Sequence, residues 1–83
     1  MDALSPSQCR AARALLDWTR EQLSAASGVP ERTLADFEAG ATNPRAATLA
    51  KLEAAFGCAG VAFVTVQGAT GGVILLNRKT PGI

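Results

Sequence analysis

Thr19-Arg20-Glu21-Gln22-Leu23-Ser24-Ala25-Ala26-Ser27-Gly28-Val29-Pro30-Glu31-Arg32-Thr33-Leu34-Ala35-Asp36-Phe37-Glu38-Ala39-Gly40 is the stretch whose reading decides the fold. Thr19 followed three residues later by Gln22 is a capping box and predicts a helix start, because each side chain can satisfy the other's unpaired backbone N–H. The helix that follows turns Leu23 and Ala26 inward and ends at Ser27-Gly28, where glycine supplies the left-handed conformation that stops a helix. A third helix is expected almost at once, from about Pro30 to Ala39. It has Val29 packed at its entry, Leu34 and Phe37 on its inner face, and Gly40 closing it. Two short helices are thus hinged at one tight turn.

The flanks extend the pattern. Upstream, Ser5 as cap, Pro6 at the first helical position and Gln8 three after the cap open a first helix. It carries Cys9, Ala12, Leu15 and Leu16 at helical spacing and stops near Asp17-Trp18. Downstream, Ala41-Thr42-Asn43-Pro44 reads as a turn, since proline disfavours helix in the residue before it. A fourth helix runs from Arg45 or Ala46 to about Cys58, with Leu49, Leu52 and Phe56 inward. From Val61 the character changes: Val61–Val66 and Val73–Leu76 are apolar and largely β-branched, and the glycine-rich Gln67–Gly72 separates them, which predicts a hairpin. The expected organisation is a mainly α fold: a compact four-helix helix-turn-helix domain over residues 1–60, with a short C-terminal β-hairpin over 61–83.

Composition narrows the function. The chain has 83 residues, too few for two independent cores, and its 48% hydrophobic content fits a folding globule. Much of that share is alanine, which predicts thin, close-packed helices with few large side chains. No run approaches the roughly 18–20 apolar residues that span a bilayer. Met1-Asp2-Ala3 has neither the basic start nor the apolar run of a secretion signal, so a soluble cytoplasmic protein is expected. Histidine and tyrosine are absent, and Cys9 and Cys58 match no zinc spacing. An enzyme is not expected, nor a metal or cofactor, and both cysteines are expected as buried thiols. Net charge is +1, and the residues up to Gly60 hold six basic side chains against seven acidic ones. Indiscriminate nucleic-acid binding usually shows a clear basic excess, so any case for DNA rests on where the few arginines lie.

Residues Arg13 to Phe56 resemble the lambda-repressor and Cro-like helix-turn-helix family of DNA-binding regulators. The resemblance rests on Arg13, Gln22-Leu23-Ser24-Ala25-Ala26, Gly28-Val29, Leu34, Phe37-Glu38-Ala39-Gly40 and Pro44-Arg45 before Leu49. It implies that the third helix enters the major groove, about 12 Å wide, with its outer face free. Glu31, Arg32 and Asp36 then sit at base-reading positions, with Thr33 and Ala35 as lesser contacts. Arg32 can donate two bonds to guanine, and Glu31 or Asp36 can accept from cytosine N4. The same positions can equally form a solvated, salt-bridged helix face. Thr19 and Arg20, opening the second helix, and Thr42, Asn43 and Arg45, following the third, are the candidate DNA-backbone contacts. Lys51 and Arg10 are assigned to solvent.

The resemblance also implies a partly buried salt bridge between Arg13 and Glu38, tying the first helix to the third. Two residues depart from the family pattern. Pro30 stands where a serine or threonine usually caps the recognition helix, leaving Thr33 to compensate. Asp17 stands where glycine is frequent before Trp18.

Family members usually dimerise on two-fold operators whose half-sites lie about 34 Å apart. Val61, Phe63, Val64, Val66, Val73, Ile74, Leu75 and Leu76 are the candidate dimer interface, because a lone two-stranded ribbon is marginal in water. The competing arrangement folds the hairpin back on the chain's own helices. The Gly68–Gly72 loop lacks the lysine of a phosphate loop and reads as a turn, and Asn77-Arg78-Lys79 as a solvated end. The function expected is a sequence-specific transcriptional regulator binding double-stranded DNA as a homodimer without a cofactor, a repressor that occludes a promoter or equally an activator that recruits polymerase through an exposed face. The alternative is a protein-interaction module, such as an antitoxin or an inhibitor of another regulator, with a protein partner.

Overall fold

The computed structural model describes residues 4–64 and 72–75. Helix α1 spans Pro6–Leu16, α2 Arg20–Ser27, α3 Glu31–Glu38 and α4 Ala46–Cys58; strands β1 (Val61–Val64) and β2 (Gly72–Leu75) follow. The chain is mainly helical, with a helix-turn-helix formed by α2 and α3.

Both capping boxes form. Ser5 Oγ accepts from the Gln8 N–H at 3.1 Å while Gln8 Oε1 accepts from the Ser5 N–H at 3.0 Å. Thr19 and Gln22 repeat the exchange at 3.1 and 2.8 Å. Helix α1 ends on Asp17 at φ 56°, a left-handed residue that explains why glycine suits this position. Gly28 closes α2 at φ 79°; a Cβ there would meet nothing within 4 Å, so backbone conformation rather than space selects glycine. Ser27 Oγ locks the turn by donating to the Leu23 carbonyl at 2.7 Å and accepting from the Val29 N–H at 3.2 Å.

Helix α3 starts at Glu31, with Pro30 extended before it and no side chain capping it, so Thr33 does not compensate for the missing cap. At its far end the Gly40 N–H reaches the Phe37 carbonyl and the Ala41 N–H the Asp36 carbonyl, each at 2.9 Å.

Phe56, Leu23, Leu34, Leu52 and Cys9 are the largest fully buried side chains, and Leu4, Leu16, Val29, Phe37 and Val61 join them. Each large apolar side chain so buried contributes about 1.5–3 kcal/mol. Among the described residues alanine supplies only Ala12 and Ala55 to this core, and Ala26 is exposed. The composition misled on this point: alanine lines the outside of the helices, and leucine and phenylalanine fill the centre.

The strands pair antiparallel, Val61 with Leu75, Ala62 with Ile74, Phe63 with Val73 and Val64 with Gly72. Strand β1 packs on α4 and β2 on α1. Val61 is buried, and Phe63 and Val73 pack against the core. The hairpin therefore folds back on its own helices, and Val61, Phe63 and Val73, named above for a dimer interface, are engaged within the chain. The ring of Phe56 lies between two partners, stacked on Trp18 at 6.1 Å and edge-on to Phe63 at 5.8 Å. Val66 and Leu76, the loop residues Gly68 to Gly71, and Asn77-Arg78-Lys79 lie outside the described residues.

Candidate nucleic-acid interface

The pairing of α2 with α3 through Gly28 presents one face of α3 outward. Leu34 and Phe37 are buried on its inner side, Glu31 and Arg32 are exposed, and Thr33, Ala35 and Asp36 are half-buried along the margin. The first turn of α3 thus offers a cation and a carboxylate side by side, and Asp36 lies about one and a half turns further on. Glu31 and Arg32 have the freedom that contact with an outside molecule requires; Ala35 and Asp36 are partly covered by the fold.

Donors flank this face. Thr19, Arg20, Thr42, Asn43 and Arg45 are all exposed. The Thr19 backbone N–H is already taken by Gln22 Oε1 and the Gln22 N–H by Thr19 Oγ1, so the donors that remain there are the Thr19 hydroxyl, the Arg20 and Glu21 backbone N–H groups and the Arg20 side chain. Arg45 is the N-cap residue of α4, and no side chain caps that helix.

Behind the face lies a buried polar cluster centred on Glu38, the last residue of α3, which is 4% exposed. Arg13 on α1 grips its carboxylate with two bonds, Nε to Oε2 at 2.7 Å and Nη2 to Oε1 at 2.8 Å. The remaining Nη1 of Arg13 donates to the Trp18 carbonyl at 2.9 Å, tying in the approach to α2. The Cys9 thiol donates to Glu38 Oε2 at 3.2 Å. Burial alone would push the Glu38 carboxyl up, but the bonds from Arg13 and Cys9, with the fields of Arg13 and Arg20, hold it below its ordinary value. Burial, reinforced by the neighbouring carboxylate, pushes the Cys9 thiol up to about 12.

Arg10 does not simply extend into solvent, because its Nη1 donates to the Glu38 main-chain carbonyl. Cys58 is an exposed free thiol, and only Cys9 is buried. Periodicity could not reveal Arg10's role, since a long side chain on an exposed position reaches across to another helix. Its neighbour Cys9 and the turn-spaced Arg13 were the available clue.

Among the described residues no group of acidic and thiol side chains is arranged to hold a metal ion, and no helix is long and apolar enough to cross a membrane. Residues 10–62 match a protein-family model described as helix-turn-helix. No curated protein matches the chain.

Proposed function

Since the chain belongs to the lambda-repressor/Cro-like helix-turn-helix family of DNA-binding regulators, we propose that it is a sequence-specific transcriptional repressor that lays α3 in the major groove of duplex DNA as a homodimer. The observation that carries this reading is the outer face of α3. Glu31 and Arg32 stand free at its first turn while Leu34, Phe37 and Glu38 fix its other side. Arg32 donates to guanine O6 and N7, and Glu31 or Asp36 accepts from cytosine N4, each good pair discriminating by about 1–3 kcal/mol. Thr33 and Ala35 supply marginal contacts.

Thr19, Arg20, Thr42, Asn43 and Arg45 hold the phosphates on either side, and the uncapped start of α4 adds backbone amides to that set. The two acidic groups on the reading face repel phosphate, which weakens binding to arbitrary sequence and sharpens preference. With Val61, Phe63 and Val73 engaged inside the chain, the second copy pairs through the outer edges of the two-stranded sheet. In this reading residues 1–60 carry DNA recognition and 61–83 carry dimerisation. The protein works in the cytoplasm without a cofactor.

A second reading is a protein-interaction module, such as an antitoxin. A groove of about 640 Å³ between the ends of α1, α2 and α4, lined by Leu16, Trp18, Ala26, Ala54 and Cys58, supports it.

Selection of bound sites from a random duplex library at about 150 mM salt tests the first reading. Enrichment of an inverted repeat with half-sites about 34 Å apart is expected. Folded protein that enriches nothing would overturn it in favour of a protein partner.

A further inference from the structure

Helix α3 is held unevenly. It has only eight residues, and at the end that carries Glu31 and Arg32 it has no side-chain cap. No basic residue of its own lies in its last turn to meet the exposed carbonyls there. That charge comes instead from α1. Arg10 donates to the main-chain carbonyl of Glu38 while Arg13 takes the carboxylate of the same residue.

The two grips differ mechanically. A bond to the Glu38 carboxylate acts through the rotatable bonds of a side chain and leaves the helix axis some freedom. A bond to the Glu38 carbonyl acts on the backbone itself. Together they fix the rotation of α3 as well as its distance from α1. The lever is long for so short a helix: Glu31 lies about 10 Å along the axis from Glu38, so a tilt of about 6° about that end moves the reading residues by about 1 Å. Shifts of that size decide whether a bidentate bond to a base edge forms.

We propose that Arg10 is a positioning residue, which does not touch DNA but holds the last carbonyl of α3 and thereby sets the angle at which Glu31 and Arg32 meet the bases. This rests on the DNA-binding reading above. A direct bond from Arg10 to a phosphate is the competing role, and salt dependence separates the two, because removing one phosphate-binding cation lowers the salt slope by about one.

The test uses the full chain with Arg10→Met, which keeps the length of the side chain but has no donor, and Arg10→Lys, which restores one. Binding to the selected site and to arbitrary duplex is measured across a salt series, and amide exchange is followed in the free protein. Arg10→Met is expected to lower the ratio of specific to arbitrary affinity about fivefold, the scale of one net hydrogen bond. The salt slope stays unchanged, exchange of the Ala39, Gly40 and Ala41 amides quickens relative to α2, and Arg10→Lys restores most of the ratio. A uniform loss of affinity with a reduced salt slope would make Arg10 a phosphate-binding residue and overturn the proposal, as would a ratio equal to that of the unmodified protein. If the unmodified protein itself selects no sequence, the DNA reading falls and the aiming role with it. The exchange data would still report the tether between α1 and α3.

Discussion

Replacing Glu38 by alanine removes a carboxylate that is 3% exposed and leaves the guanidinium of Arg13 without the two bonds at 2.7 and 2.8 Å that now neutralise it. Breaking a buried ion pair by deleting one partner costs about 3–5 kcal/mol. Arg13 is 21% exposed and recovers some hydration, which places the loss near the lower end, at about 3 kcal/mol. For a domain of this size each kcal/mol moves the melting temperature by about 4–8 °C, so the shift is on the order of 12–24 °C. Glu31 is exposed, and Glu31→Ala should stay within about 0.5 kcal/mol.

Thermal unfolding followed by circular dichroism near pH 7 compares the two variants. A double-mutant cycle with Arg13→Met isolates the coupling between the partners. The pH dependence carries a sign as well. Because the folded protein holds the Glu38 carboxyl below its ordinary value of 4.5, the stabilisation is complete above that pH and disappears as the pH falls through the folded value. The gap between the unmodified protein and Glu38→Ala should therefore narrow in acid. Equal melting temperatures for Glu38→Ala and Glu31→Ala would refute the reasoning.

Arg32→Ala should erase preference at one base position, by about 1–3 kcal/mol, while leaving oligomeric state unchanged; an unaltered binding-site profile would exclude it from base reading. A thiol reagent applied to native protein should label Cys58 rapidly and Cys9 only as the fold opens, and equal rates would contradict the burial of Cys9. The raised Cys9 thiol makes stability complete below its ordinary value of 9.0 and diminishing as the pH climbs from there toward about 12, a loss that Cys9→Ala should abolish in denaturation profiles at alkaline pH. Ser5→Ala removes the α1 cap and should cost about 1 kcal/mol, measurable as a lower urea midpoint at an unchanged slope.

What could be read from the residues was whatever depends on neighbours in the chain. Ser5 with Gln8, Thr19 with Gln22, and Gly28 act over three or four positions, and the starts of α1 and α2 and the turn between α2 and α3 fall where those residues place them. What escaped depends on which side of an element meets which neighbour. Ala26 and Cys58 are small enough to suit either side of a helix, and both lie outside. The apolar strands were legible as strands, but alternation alone does not say what covers the buried face, and here α1 and α4 do. That Glu31 and Arg32 face outward follows from Leu34 and Phe37 claiming the inner side, whereas the base-reading role proposed for them comes from the family resemblance and not from the helix pattern. Arg10 was missed because its hydrogen bond is to a carbonyl, and a main-chain acceptor leaves no mark in the pattern of side chains.

The packing of β2 against α1 also bears on how the molecule is made. During synthesis α1 emerges first, and part of its cover lies at positions 72–75, so a nascent chain that has grown only through α4 carries an incompletely covered first helix. Phe56 is then in place before Phe63, the partner that meets it edge-on. The helices can form as they emerge, since their caps and turns are local, but closure of the fold waits for the hairpin. A premature stop between α4 and β2 would therefore release a chain with exposed apolar surface, a form that quality-control proteases readily remove.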